Sequence, residues 1–260
     1  MYTSYPPYDI LQAIFDKLDF ILQIRFRQCD LSNYDILHVT NFYNVSTRIK
    51  RKYTDQILLN YPFIKYLDCY CNEHVTNINH LGNLRVLNAG NICHSHVELN
   101  VQENNHIFKC GIDQNGIEKL CNLEILYADN NPKITSISNF KNLRKLAIRN
   151  CSGIDQKAIS QVYEITMLDA SNNYTVFDVN HLVKLRILYA NDDCGIYQKG
   201  IDKLSNLNEL ECTGNWKITR HFSQQSKTCK CPSYDNTYKT HCCNYHMNFG
   251  NGYIVSTYIP

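Results

Sequence analysis

The sequence predicts an α/β solenoid of about seven stacked repeats behind a helical N-terminal segment. Three observations predict it. A block returns at a fixed interval: Cys110-Gly111-Ile112-Asp113-Gln114 recurs as Ser152-Gly153-Ile154-Asp155-Gln156 and as Cys194-Gly195-Ile196-Tyr197-Gln198, with the glycines 42 positions apart. Each period holds two units of the form L-x-x-L-x-[A/C/I]-x-x-[N/C], starting at Ile64, Leu84, Leu123, Leu143, Ile165, Leu185 and Leu207. The starts are 20, 39, 20, 22, 20 and 22 residues apart, so a single gap carries an insertion. Self-similarity at such a period marks a stack of supersecondary units, and a stack presents an extended surface in place of a pocket.

Residues 1–50 break this pattern. Pro6 and Pro7 set up a helix start, Asp9 favours its first turn, and Ile10, Leu11, Ile14, Phe15 and Leu18 form a stripe at helical spacing. A second stripe runs from Phe20 to Gln28. Residues 51–62 read as a helical linker or cap, and the Arg48–Lys52 basic run as a solvated helix face.

In residues 63–220 each unit explains itself physically. Leu123, Leu126 and Ala128 point inward from a short strand and its flank, and Asn131 closes the motif where the chain turns away. An Asn there bonds turn backbone that is otherwise unpaired inside the stack, and Asn72, Asn173 and Asn215 share the position. Ile92, Cys151 and Asp193 depart from it, and the turn after the second unit's strand, where the insertion begins, is expected to be irregular. The small residues at the sixth position (Cys69, Ala89, Ala128, Ala170, Ala190, Cys212) allow close stacking. Ile134, Ile137 and Phe140 continue the core, as do Ile117 and Leu120, the latter pair in an expected short helix. The polar stretch 94–109 is the loop insertion.

The unit resembles the leucine-rich repeat, which implies parallel strands lining a concave face. The row that would project from it includes Tyr70, Tyr127, Asp129, Arg149, Asp169 and Tyr189, candidate contacts to a target protein. Tyrosine and arginine are interface anchors, and the aspartates suit a basic partner. The N-terminal segment is similar to an F-box, matched in order by Pro7, Asp9, Ile10, Leu11, Ile14, Phe15, Leu18, Arg25 and Arg27, without the Trp that often closes it. Together these resemble the F-box/leucine-rich-repeat proteins of giant viruses that infect amoebae. That resemblance implies a substrate receptor of an SCF-type ubiquitin ligase, with Pro7, Ile10, Leu11, Ile14 and Leu18 docking a Skp-type linker subunit. The alternative reading of the same helices is a plain cap on the exposed end of the stack, leaving an interaction scaffold with no ubiquitin role.

Composition narrows the rest. A net charge of +2 over 260 residues argues against a dedicated nucleic-acid surface, and no apolar run reaches a membrane span. Met1–Pro7 does not read as a secretory signal, so the thirteen cysteines are expected reduced, mostly as small buried apolar residues (Cys69, Cys121 and Cys212 among them), in a cytoplasmic protein, host-cell cytoplasm if viral. The tail, 221–260, is Cys/His-rich and irregular. Cys229, Cys231, His241, Cys242, Cys243 and His246 are zinc-ligand types, but their spacing fits no standard finger, and no metal or cofactor is assigned. With no phosphate loop and no paired carboxylates in a motif, the chain is expected to be non-catalytic.

Overall fold

The computed structural model describes residues 8–28, 37–43, 45–91, 111–219 and 228–229. Pro7, Ile92, the insertion 94–109 and the tail's His and remaining Cys candidates lie outside the described residues.

The strands form one parallel sheet in chain order: β1 (Asn41–Phe42), β2 (Tyr66–Asp68), β3 (Val86–Asn88), β4 (Ile125–Tyr127), β5 (Lys145–Ala147), β6 (Met167–Asp169), β7 (Ile187–Tyr189), β8 (Glu209–Glu211) and β9 (Thr228–Cys229). The chain is a leucine-rich-repeat solenoid. Register is kept across every pair: Leu67 faces Leu87, which faces Leu126, and so on through Leu146, Leu168, Leu188 and Leu210. The insertion between β3 and β4 does not shift it. One motif leucine per strand therefore stacks in a continuous column, each buried to 3 % exposure or less.

The motif extends beyond the seven predicted units. β1 lies in the segment predicted to be helical, and β9 lies in the predicted tail. Both were hidden because a two-residue strand leaves no periodicity to read. The expected helix at Ile117–Leu120 is a run of turns instead, although both side chains are buried as predicted. Cys69 and Cys212 are buried, whereas Cys121 is exposed, because it sits outside the apolar triplet in the turn leading to Leu123.

The recurring block acquires a mechanical meaning. Ile112, Ile154 and Ile196 enter the core. Asp113 and Asp155 accept hydrogen bonds from Gly116 and Ala158 backbone N–H groups at 3.0 Å, starting the next turn. Gln114 and Gln156 each accept two N–H bonds from the following unit, at Thr135 and Ser136 and at Phe177 and Asp178, and Gln198 accepts one from Thr219. The glycines mark close approach of neighbouring turns: a Cβ on Gly195 would lie 2.6 Å from both the Tyr174 and Val176 carbonyl oxygens.

Asparagine recurs at two motif positions, for two different reasons. At the ninth motif position Asn72, Asn131, Asn173 and Asn215 are all buried. Asn131 Nδ2 donates to the Ala89 and Ile112 carbonyls while its Oδ1 accepts from Lys133 N–H, and the others repeat the pattern. At the eighth position the backbone is left-handed in six units, at Cys71, Asn130, Asn150, Asn172, Asp192 and Gly214. Asn, Asp and Gly tolerate that conformation best. Cys151 and Asp193, which replace the ninth-position Asn, are exposed, and the chain turns in one residue later through Ser152 and Cys194.

The helices α1 (Tyr8–Phe15), α2 (Phe20–Gln28), α3 (Thr47–Lys50) and α4 (Asp55–Leu58) cover the β1 end. Phe15 is buried, and Leu11, Leu18, Phe20, Ile24 and Phe26 pack against the core. Gln23, fully buried on α2, accepts from the Thr40 and Asn41 N–H groups and donates to the Phe15 carbonyl. It thereby occupies backbone donors that an open edge would expose. The basic run is not wholly solvated. Arg48, Arg51 and Lys52 are exposed, but Lys50 is buried in an ion pair with Asp68 of β2, and Lys65 pairs with Asp16. A short α5 (Gln156–Ile159) sits within the fourth unit, which begins at Leu143.

Candidate interaction surfaces

In the sheet, alternate side chains face away from the core. The third motif position contributes Tyr66, Val86, Ile125, Lys145, Met167, Ile187 and Glu209, of which Lys145 is exposed and the rest half-buried. The fifth and seventh positions hold the predicted target-binding residues, and the structure brings them onto this one face. Tyr127 and Tyr189 lie on β4 and β7, Asp169 on β6, and Tyr70, Asp129 and Arg149 just past β2, β4 and β5.

Their chemistry differs from the expectation in one respect. Asp129 and Asp169 do not stand ready for a basic partner, because Arg149 lies between them. Its Nη2 donates to Asp129 Oδ2 at 2.9 Å and its Nε lies 3.5 Å from Asp169 Oδ2. Asp129 Oδ1 also accepts the Arg149 N–H at 2.8 Å, which holds the carboxylate across two strands. Asp68 is likewise committed, to Lys50 and to the Tyr70 N–H. The carboxylates that remain half-exposed are Glu209 and Glu211. Tyr189 donates its hydroxyl to Glu209 at 3.1 Å and Asn191 donates to Glu211 at 3.3 Å. Burial and the neighbouring Glu209 push the Tyr189 phenol up to about 12, and burial raises that of Tyr127. Both rings therefore present neutral hydroxyls.

Burial also pushes the Asp169 carboxyl up to about 6, with Arg149 opposing and Asp129 adding to the rise. A carboxyl with a folded value above its unfolded one binds more protons in the folded state between the two values, so stability falls as pH rises through that window. Asp169→Asn removes this penalty while Arg149 keeps its paired bonds to Asp129. The expected result is a gain of about 1–3 kcal/mol at pH 7.5. That gain should shrink toward zero as pH falls to about 4, where the unfolded carboxyl also protonates. Denaturant titrations of both forms across this range check it, and a pH-independent difference would refute it.

The predicted linker-docking residues divide into two sets. Leu11 and Leu18 pack against the solenoid core, whereas Ile10 and Ile14 are 51 % and 58 % exposed. Tyr8 on α1 and Ile21 and Leu22 on α2 are also exposed. In the sequence Ile10, Leu11, Ile14 and Leu18 form a single stripe; in the structure Leu11 and Leu18 turn to the core while Ile10 and Ile14 stay exposed.

Among the described residues no group of three or more His, Cys, Asp or Glu could hold a metal ion, and no helix is long and apolar enough to cross a membrane. No protein-family model matches the chain, and no curated protein matches it. Solved structures similar to it include an internalin C2 of Listeria monocytogenes, 18 % identical, matched over 71 % of this chain and 73 % of that one with a TM-score of 0.43. Another internalin of that bacterium is 18 % identical over 74 % and 61 %, with a TM-score of 0.42. A leucine-rich-repeat protein of Leptospira interrogans is 16 % identical over 80 % and 59 %, with a TM-score of 0.33.

Proposed function

We propose that this chain is a non-catalytic protein-binding adaptor, a substrate receptor of an SCF-type ubiquitin ligase. In this reading α1 and α2 dock a Skp-type linker subunit and the sheet face holds a target protein. The observation that carries it is the division of α1. One side anchors the helix to the solenoid through Leu11 and Phe15, and the other leaves Ile10 and Ile14 bare. A plain cap needs only the first side. Exposed contiguous apolar surface on a helix suits burial in a partner's groove. The sheet face supplies the second surface, where Tyr127, Tyr189, Ile125, Met167 and Ile187 offer apolar area among fixed charges.

The competing reading, an interaction scaffold capped by its own helices, draws on how firmly the cap is joined. Lys50 with Asp68, Lys65 with Asp16, and Asp55, which accepts from Thr76 and Asn77 N–H groups, all tie it to the first unit.

A binding titration of the purified chain with a purified Skp-type linker separates the two. Ile10→Asp/Ile14→Asp is expected to weaken binding by at least about 100-fold, since two apolar anchors are each worth roughly 1.5–3 kcal/mol. Its melting temperature should stay near wild type, because both positions are exposed. No binding by the well-folded wild type would leave the scaffold reading and remove ubiquitin from the account.

A further inference from the structure

The outward face of the sheet is not balanced in charge along its length. Near its start Asp68 is taken up by Lys50, and in its middle Arg149 lies between Asp129 and Asp169. On β8 both outward positions are carboxylates, Glu209 and Glu211. The Tyr189 hydroxyl and the Asn191 amide donate to them, and both donors are neutral, so the two charges stay in place. Across the ladder Glu209 is flanked by Ile187 on β7 and Thr228 on β9, and Glu211 by Tyr189 on β7. Among the described residues none of the ion pairs includes Glu209 or Glu211. Lys145, exposed on β5, stands three strands away, about 14 Å at the usual strand spacing. That exceeds a Debye length of about 8 Å, so it does not offset them in physiological salt.

Between Lys145 and the glutamates the third-position row is apolar. It holds Met167 and then Ile187, both half-buried, with the half-buried Tyr189 ring beside them at the fifth position. An apolar strip therefore runs directly into two uncompensated carboxylates, and together they restrict what can cover the face. An acidic segment is repelled. A wholly apolar segment strips water from two charges and returns nothing. A segment with lysine or arginine next to aliphatic residues meets both demands, because the charged head bonds carboxylates while the neighbouring carbon covers the strip.

Resting on the reading of this face as the target-binding surface, we propose that its β6–β8 end takes a cationic, aliphatic-flanked segment of the partner protein. The ammonium or guanidinium group sits between Glu209 and Glu211, and the aliphatic side chains lie on Met167 and Ile187.

The probe is a display library of random peptides of about twelve residues, long enough when extended to cross β4 to β8. It is selected on the full chain, and the affinities of selected peptides are measured by fluorescence anisotropy. Selected sequences are expected to be rich in Lys and Arg beside Leu, Ile and Val, and poor in Asp and Glu. Glu209→Gln/Glu211→Gln is expected to weaken them by at least about 10-fold at low ionic strength, with the difference narrowing at high salt. Glutamine keeps an acceptor for Tyr189 and Asn191, so the fold should be unaffected, and a circular dichroism melt checks this. Glu118→Gln/Asp193→Asn removes the same charge at exposed positions off this face and should change affinity by less than about twofold. Selection of neutral or acidic peptides, selection of none, or equal losses in the two double variants would each overturn the proposal. The linker titration keeps the adaptor reading separate. If the linker binds and the peptide test fails, only this inference falls; if peptides bind as expected and the linker does not, only the ubiquitin role falls.

Discussion

Gly195→Ala is expected to unfold the C-terminal end of the solenoid at temperatures where the rest stays intact. The added Cβ would meet two backbone oxygens, those of Tyr174 and Val176, each at 2.6 Å, and backbone cannot swing aside as a flexible side chain can. The turns must separate, which also strains the 2.8 Å bond from Gly195 N–H to the Asn173 carbonyl. Overpacking alone costs about 1–3 kcal/mol, and loss of a buried backbone bond adds about 1–3 kcal/mol. In a repeat stack each turn is stabilised by its neighbours, so the damage falls on the interface between β6 and β7 and on everything beyond it. Thermal melts should then show two steps, the earlier one seen by Trp216 fluorescence and the later by circular dichroism. Gly82→Ala is the control. A Cβ there meets nothing within 4 Å, and the change is expected to be neutral or slightly stabilising. If the two substitutions have equal effects, close approach of the turns is not why glycine recurs.

The fold was legible because the repeat states its core twice over, once in the leucine column and once in the fixed interval. Leu67 through Leu210 needed only their spacing to be placed. What stayed hidden was information carried by single residues. Nothing around Lys50 separates it from exposed Arg48 and Arg51; only the buried Asp68 carboxylate, eighteen positions on, draws it inward. Asp129, Arg149 and Asp169 were found as members of one face, yet their pairing depends on a strand spacing of 20 residues that sequence does not convert into contact. The left-handed eighth position could have been found. Asn130, Asn150, Asn172, Asp192 and Gly214 recur in register, and that choice of residues is the mark of a positive φ. The same signal accounts for part of the asparagine content that composition alone left without meaning.

Asn173→Ala should bring a loss of similar size by a different route. The side chain is fully buried. Its Nδ2 donates to the Ile148 carbonyl at 2.8 Å, and its Oδ1 accepts from the Thr175 N–H at 3.0 Å and the Thr175 hydroxyl at 2.7 Å. Alanine deletes every one of these bonds and leaves the buried Ile148 carbonyl without this donor, at about 1–3 kcal/mol, with a smaller loss at the part-buried Thr175. The amide serves both kinds of partner at once, carbonyl acceptors through its Nδ2 and the Thr175 donors through its Oδ1. The aspartate variant isolates that matching. Asn173→Asp keeps the acceptor for Thr175 but turns a carboxylate toward the Ile148 carbonyl, so burial and that carbonyl both favour its protonated form. The folded value rises above the unfolded one, and the defect is largest above the folded value and shrinks as pH falls through it. Denaturant melts at neutral and acidic pH should therefore show Asn173→Asp recovering on acidification while Asn173→Ala does not. Cys151→Ala, at the equivalent but exposed ninth position, is expected within about 0.5 kcal/mol of wild type at either pH. Parallel pH profiles for the aspartate and alanine variants would mean that the buried amide contributes packing alone, and that the asparagine ladder is not held by its hydrogen bonds.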